Sequence, residues 1–234
     1  SASLVGSEMC IRDSYFNTPA EANSFLTGIY AILSQPTFYG GDYMYLVAGD
    51  DLSHYGGSGR GPASTGLICN NATTSDNAVT AFWYALYSGI NRANMFLENI
   101  DKVNGFDAGV KEQYIAEARF LRAWFYYCLL RQYGPCVLLG DEVLPGDLDR
   151  DDVKMNLPRS SYDECVDYIV GELDDMIDNN RLPLHFTVQA DKDYGRATLA
   201  MCMGLKSRVL LLAASDQFNG NPAYANVVNT DGKH

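Results

Sequence analysis

The stretch from Gln35 to Asp76 gathers side chains able to hold a ring-shaped polar ligand. Tyr39, Tyr43, Tyr45, His54 and Tyr55 offer flat faces there, with Asp50, Asp51 and Arg60 nearby in the chain. Sugars are held by stacking on such faces and by a few directed polar groups. Tyr43, Asp51, His54, Tyr55 and Arg60 are therefore the candidate ligand-binding residues. In the competing reading, Tyr43 and Tyr45 share one face of an extended piece and cover the scaffold beneath.

Other chemistries lack their residues. Asp50 with Asp51, and Asp141 with Glu142, are adjacent carboxylates that point to opposite sides in an extended segment, so neither pair flanks one bond as acid and base. The run Asp147, Asp149, Asp151 is spaced like a calcium loop, but Asp152 stands where glycine is needed and Pro158 where the bidentate Glu belongs. A solvated acidic turn accounts for it. His54 has no second His or Cys at ligand spacing, so no metal is expected. GxxxxGK, GxGxxG and GxSxG words are missing, and "GGSGRG" lacks the strand-then-helix context of a nucleotide loop. The expectation is a chain that binds and does not catalyse, with no cofactor.

The totals narrow the partners. The chain has 234 residues, 47% hydrophobic and 20% charged, with a net charge of −12. That acidity disfavours nucleic acid, whose phosphates require a cationic face. No run approaches the roughly 18 apolar residues of a membrane span. Six cysteines (Cys10, Cys69, Cys128, Cys136, Cys165, Cys202) show no CxxC or CxxH spacing. Cys128, Cys165 and Cys202 are expected as small buried thiols on helices, and disulfides are left unassigned.

Helical periodicity must supply the scaffold. Residues 1–14 have no sustained period, and "LVGSEMCIRDS" resembles a translated sequencing-adapter remnant; they are expected to be non-native or disordered. Residues 15–234 are expected to form one helical domain. Thr18, Pro19 and Glu21 spell a capping box ahead of Phe25, Leu26, Ile29, Ile32 and Leu33 at helical spacing. A second helix over "NAVTAFWYALYSGINRANMFLENIDKV" carries a Glu98–Lys102 pair. A third, entered through Asp107 and Ala108 and stopped by Gly134 and Pro135, contains "EARFLRAWFYYCLLRQYG". Ser161 and Glu164 cap a fourth, and "GRATLAMCMGLKSRVLLLAAS" makes a fifth. The pattern is all-α: stacked helical pairs, second with third and fourth with fifth, interrupted by one long irregular loop.

The third helix is apolar all round yet carries Arg119, Arg122 and Arg131, so it must be covered on several sides and its charges paired. Glu117, Asn91, Arg92 and Asn94 are the candidate partners. Arg92, Glu117 and Arg122 are expected to form a structural polar core. The fifth helix, apolar on most faces, is expected to need cover from chain beyond residue 234.

The words "FNTPAEANSFLTGIYAIL", "FWYALYSGINRANMFLENI", "YIAEARFLRAWFYYCLLRQYG" and "GRATLAMCMGLKSRVLLLAASDQFNGN", in this order, resemble the N-terminal half of SusD/RagB-type nutrient-binding proteins of Bacteroidetes. The resemblance runs from about Phe16 to Asn221. It implies a surface-exposed outer-membrane lipoprotein with a tetratricopeptide-like scaffold. Such a protein captures glycans, sometimes peptides, for a SusC-type TonB-dependent transporter and has no catalytic role. It also implies a similar length of chain again after this one. Cys10, in "GSEMC", lacks the small residue that precedes a lipidated cysteine, so membrane attachment is expected only through a lipid anchor that this chain does not contain. The alternatives are a helical-repeat scaffold for protein partners and a peptide-binding relative; an α-helical glycan hydrolase lacks its carboxylate pair.

Overall fold

The computed structural model describes residues 16–33, 77–145, 156–186 and 193–223. Among these residues five α-helices run in chain order: α1 (Pro19–Leu33), α2 (Asn77–Asn99), α3 (Val110–Tyr133), α4 (Tyr162–Asp178) and α5 (Leu199–Ala213), with a 3-10 turn over Ile100–Lys102 after α2. The described residues contain no strand. None of the described helices is long and apolar enough to cross a membrane.

Local chemistry sets the helix ends. At the start of α1, Glu21 Oε2 accepts from Thr18 N at 2.9 Å while Thr18 Oγ1 accepts from Glu21 N at 3.3 Å. Ser161 and Glu164 form the same reciprocal box at the start of α4. Each box satisfies two backbone donors that a helix start leaves unpaired. Gly109 (φ 83°) precedes α3 and Gly134 (φ 70°) ends it, both in backbone conformations that favour glycine. Gly134 N donates to Leu130 O and so stops the ladder.

α2 ends sooner than its periodicity predicts. The chain tightens into the 3-10 turn, Lys102 leaves the α-helical register, and its Nζ donates to Asn99 Oδ1 at 2.6 Å in place of the expected Glu98.

Antiparallel neighbours α2 and α3 pack as one pair and α4 and α5 as a second, with α3 against α4 joining them. α1 lies across α2 and α3. The core runs through all five helices, from Phe25, Leu26 and Ile29 through Leu86, Ile90 and Phe96 to Phe120, Leu121, Phe125, Ile169, Leu173, Leu205 and Val209. The close approach of α2 to α3 is made at Gly89, where a Cβ would stand 2.7 Å from the Phe125 ring. This is the expected all-α, tetratricopeptide-like arrangement of stacked pairs. α5 covers only one side: Leu199, Cys202, Leu205 and Val209 are buried, but Met201, Met203, Leu210 and Leu211 are exposed.

Candidate functional site

Tyr39, Tyr43, Tyr45, Asp50, Asp51, His54, Tyr55 and Arg60 lie outside the described residues, as does the acidic turn from Asp147 to Asp152. Two polar networks of the described residues both use α3.

The first network joins the two helical pairs. Arg122 is buried, and its Nη1 donates to Asn94 Oδ1 at 2.8 Å, Gly140 O at 3.2 Å and Asp141 Oδ1 at 2.6 Å. Its Nη2 donates to Glu172 Oε2 at 3.1 Å, and its guanidinium carbon sits 5.8 Å from the Tyr168 ring centre. One turn earlier, Arg119 grips Glu172 with Nε and Nη2, both at 3.0 Å, and reaches Asp175 with Nη1. Arg181 takes the same Asp175 carboxylate at 2.7 and 3.0 Å. The Arg181 hydrogen bond, helped by Arg119, holds the Asp175 carboxyl down at about 2.

These groups line a cleft of about 430 Å³ between the pairs, walled by Asn94, Glu98, Arg119, Arg122, Asp141 and Glu172. Its two guanidinium groups are already bound to carboxylates on the facing wall. An arrangement of this kind fixes two helix pairs in one register.

The second network ties α1 and the start of α5 to α3. Glu117 is fully buried. It accepts from Tyr30 Oη at 2.9 Å, Gln113 Nε2 at 2.8 Å and Arg196 Nη1 at 2.7 Å. Arg196 also donates to Asn23 Oδ1 and lies 5.0 Å from the Tyr114 ring centre. Tyr30 Oη accepts in turn from Ala197 N at 2.9 Å. Burial pushes the Glu117 carboxyl above its ordinary range, and the Arg196 guanidinium opposes that shift.

The polar partners differ in detail from the expected set. Asn94 does accept from Arg122, but Asn91 bonds both backbone groups of Leu144, with Nδ2 to O at 3.0 Å and N to Oδ1 at 2.7 Å. Asn94 likewise donates to Gly140 O and Glu142 O. The asparagines of "GINRAN" thus satisfy the backbone of the irregular segment after α3, which has no ladder of its own. Arg92 is corrected: it is exposed, not part of a buried core, and its guanidinium stands 5.4 Å from the Phe25 ring centre, where it links α2 to α1. Arg131 is exposed too, over the Tyr127 ring at 5.8 Å. Glu117 serves Arg196 rather than an α3 arginine. The sequence reading missed Glu172, Asp175 and Arg196; the α3 arginines at i and i+3 facing acids at i and i+3 on α4 were the available signal.

The chain is 34% identical over 128 residues to SusD-like protein P2 of Formosa agariphila, covering 52% of this chain and 24% of that protein. It is 29% identical over 156 residues to a SusD-like protein of Bacteroides ovatus, covering 66% and 26%. Among solved structures, a SusD homologue of Bacteroides thetaiotaomicron superposes with a TM-score of 0.66 at 28% identity, over 89% of this chain and 39% of that one. A laminarin-binding SusD-like protein superposes with a TM-score of 0.69 at 21% identity, over 88% and 44%, a likeness of fold. The chain spans about a quarter of the length of the curated relatives it matches. The profile of a SusD-like family, described as starch-binding and associating with the outer membrane, matches residues 10–204, and the chain belongs to that family.

Proposed function

We propose that this chain is the scaffold-bearing part of a non-catalytic glycan-capture protein. It would work at the cell surface on the outer membrane and pass oligosaccharide to a SusC-type TonB-dependent transporter. The observation that carries the reading is the family match over residues 10–204. Two solved relatives support the ligand class: one is a laminarin-binding SusD-like protein, and a surface glycan-binding protein A of Bacteroides thetaiotaomicron is seen with laminarihexaose. The described helices would be the scaffold, and in the stretch from Gln35 to Asp76 Tyr43, His54 and Tyr55 would stack on sugar rings while Asp51 and Arg60 take hydroxyls. Capture by stacking and hydrogen bonding needs no covalent step, and release to a transporter requires that it be reversible.

Calorimetric titration of the 234-residue chain with laminarin, laminarihexaose and starch tests the reading. Saturable binding to at least one glycan is expected, weakened about tenfold by Tyr43→Ala or Tyr55→Ala if each ring is an anchor. Binding unchanged in every variant of the five loop residues would move the ligand site off this loop. Failure of all three glycans to bind would remove glycan capture from this chain.

A further inference from the structure

Four cysteines are described, and all four are buried free thiols. Two of them are in contact: Cys136 Sγ lies 3.7 Å from Cys165 Sγ, and Cys165 Sγ is also 3.7 Å from Cys136 O. Cys136 follows α3 and closes the first helical pair, whereas Cys165 lies in the first turns of α4 and opens the second. Both are completely buried.

The surroundings hold these two sulfurs in place from both sides. After Cys136, Tyr87 Oη accepts from Val137 N at 2.8 Å and donates to Val137 O at 3.0 Å, and Tyr126 Oη accepts from Leu139 N at 2.9 Å. Ser160 N donates to Cys136 O at 2.9 Å, which brings the approach to α4 alongside. The Ser161–Glu164 capping box then fixes the first turn that carries Cys165. A disulfide has its sulfurs about 2.05 Å apart. The remaining approach of about 1.7 Å is within reach of side-chain rotation with a small backbone adjustment.

We infer that Cys136 and Cys165 are a disulfide-forming pair that staples the first helical pair to the second. The oxidant would be a small-molecule or protein disulfide met during folding, before burial closes the site. One cysteine thiolate attacks that disulfide and forms a mixed disulfide, releasing one half of the oxidant as a thiol. The second thiolate then attacks the cysteine sulfur of the mixed disulfide and releases the other half. The cysteines lose two electrons and two protons, and the oxidant becomes two thiols. Association with the outer membrane is part of the family's description, and proteins that leave the bacterial cytoplasm meet such oxidants.

The test refolds the 234-residue chain in a glutathione and glutathione-disulfide buffer, blocks free thiols with N-ethylmaleimide and maps the peptides by mass spectrometry. The expected result is one dominant linked peptide containing Cys136 and Cys165, with Cys128 and Cys202 carrying maleimide. Closing a loop across a sequence separation of 29 should raise Tm by about 7–14 °C over the reduced protein. The difference between oxidising and reducing conditions should vanish in Cys165→Ala. The same mapping on protein recovered from the periplasm of an expression host decides the matter if refolding fails. Maleimide on both Cys136 and Cys165 after either route, or a mixture of pairings without this one dominant, overturns the inference.

Discussion

Replacing Arg122 by alanine should lower stability by about 3 kcal/mol, at the low end of the cost of breaking a buried ion pair. The low end follows from what each partner keeps. The Arg122 side chain is 3% exposed and the Glu172 side chain 14%, so this pair is sheltered, while the Asp141 side chain is 87% exposed and adds little. Glu172 retains the bidentate grip of Arg119 and is not left as an uncompensated charge. The groups that lose most are Asn94 Oδ1 and Gly140 O, and the latter still accepts from Asn94 Nδ2. Arg122 Nε is buried without a hydrogen-bond partner among the described residues, which already offsets part of what the native pair contributes. Arg122→Met keeps most of the volume and should cost about 1–2 kcal/mol through the unsatisfied amide oxygen. Arg131→Ala, an exposed control on the same helix, should stay within about 0.5 kcal/mol. Urea unfolding followed by far-ultraviolet circular dichroism measures all three, and an unchanged m-value licenses the comparison. An Arg122→Ala cost no larger than that of Arg131→Ala would refute the view that this guanidinium joins the two helical pairs.

Gly89→Ala should destabilise by about 1–2 kcal/mol, because overpacking against the fully buried Phe125 ring outweighs the gain in helix propensity; a rise in Tm would disprove the close α2–α3 approach. Ser161→Ala should cost about 1 kcal/mol through loss of the α4 cap, read as a lower Tm. The Asp175 carboxyl is held at about 2, below its ordinary 3.8, so its contribution is fully present above pH 4 and is lost as pH falls towards 2. After allowance for solvent screening it amounts to about 1 kcal/mol, and an Asp175→Asn variant should flatten that part of an acid titration of stability. The exposed Met201, Met203, Leu210 and Leu211 of α5 should bind a hydrophobic dye in the 234-residue chain; Leu211→Glu with Met203→Glu should abolish the signal while leaving the fold intact.

The helices were legible where the apolar period and the end chemistry agree: Thr18 with Glu21, Ser161 with Glu164, and Gly134 all sit at the ends that α1, α4 and α3 adopt. The pairing of α2 with α3 was legible because the connection between them is short, whereas α4 and α5 pair across residues 179–198. The partners of the arginines were not. Long side chains reach across helix packing that sequence spacing does not encode, so Glu117 was assigned to α3 arginines although its cation, Arg196, lies 79 positions further along. Arg92 was misplaced because an arginine on an amphipathic helix reads alike whether it pairs with a carboxylate inside or lies over a ring outside. The short end of α2 escaped notice because a 3-10 turn continues the same apolar period for one more residue, Ile100. The candidate loop residues Tyr43, Asp51, His54, Tyr55 and Arg60 rest on their types alone.

The mixture of rings and guanidinium groups on α3 follows from its position. Each of the other four described helices packs on it. A helix covered all round must be apolar all round, and Phe120, Leu121, Phe125, Tyr126, Leu129 and Leu130 meet that need. Apolar contact has little directional preference, however, and would tolerate a helix slipped or rotated by a fraction of a turn. The charged contacts do not tolerate it. Arg119 and Arg122 engage one carboxylate, Glu172, from successive turns, and Glu117 accepts three donors, from α1, from α3 itself and from the approach to α5. Sliding α3 by one residue, about 1.5 Å along its axis, would break both sets at once and leave buried charge unpaired. The physical role assigned to these groups is therefore to select one register among several of similar hydrophobic energy. Double-mutant cycles between Arg119 and Glu172, and between Arg196 and Glu117, would measure it as coupling beyond the sum of the single losses.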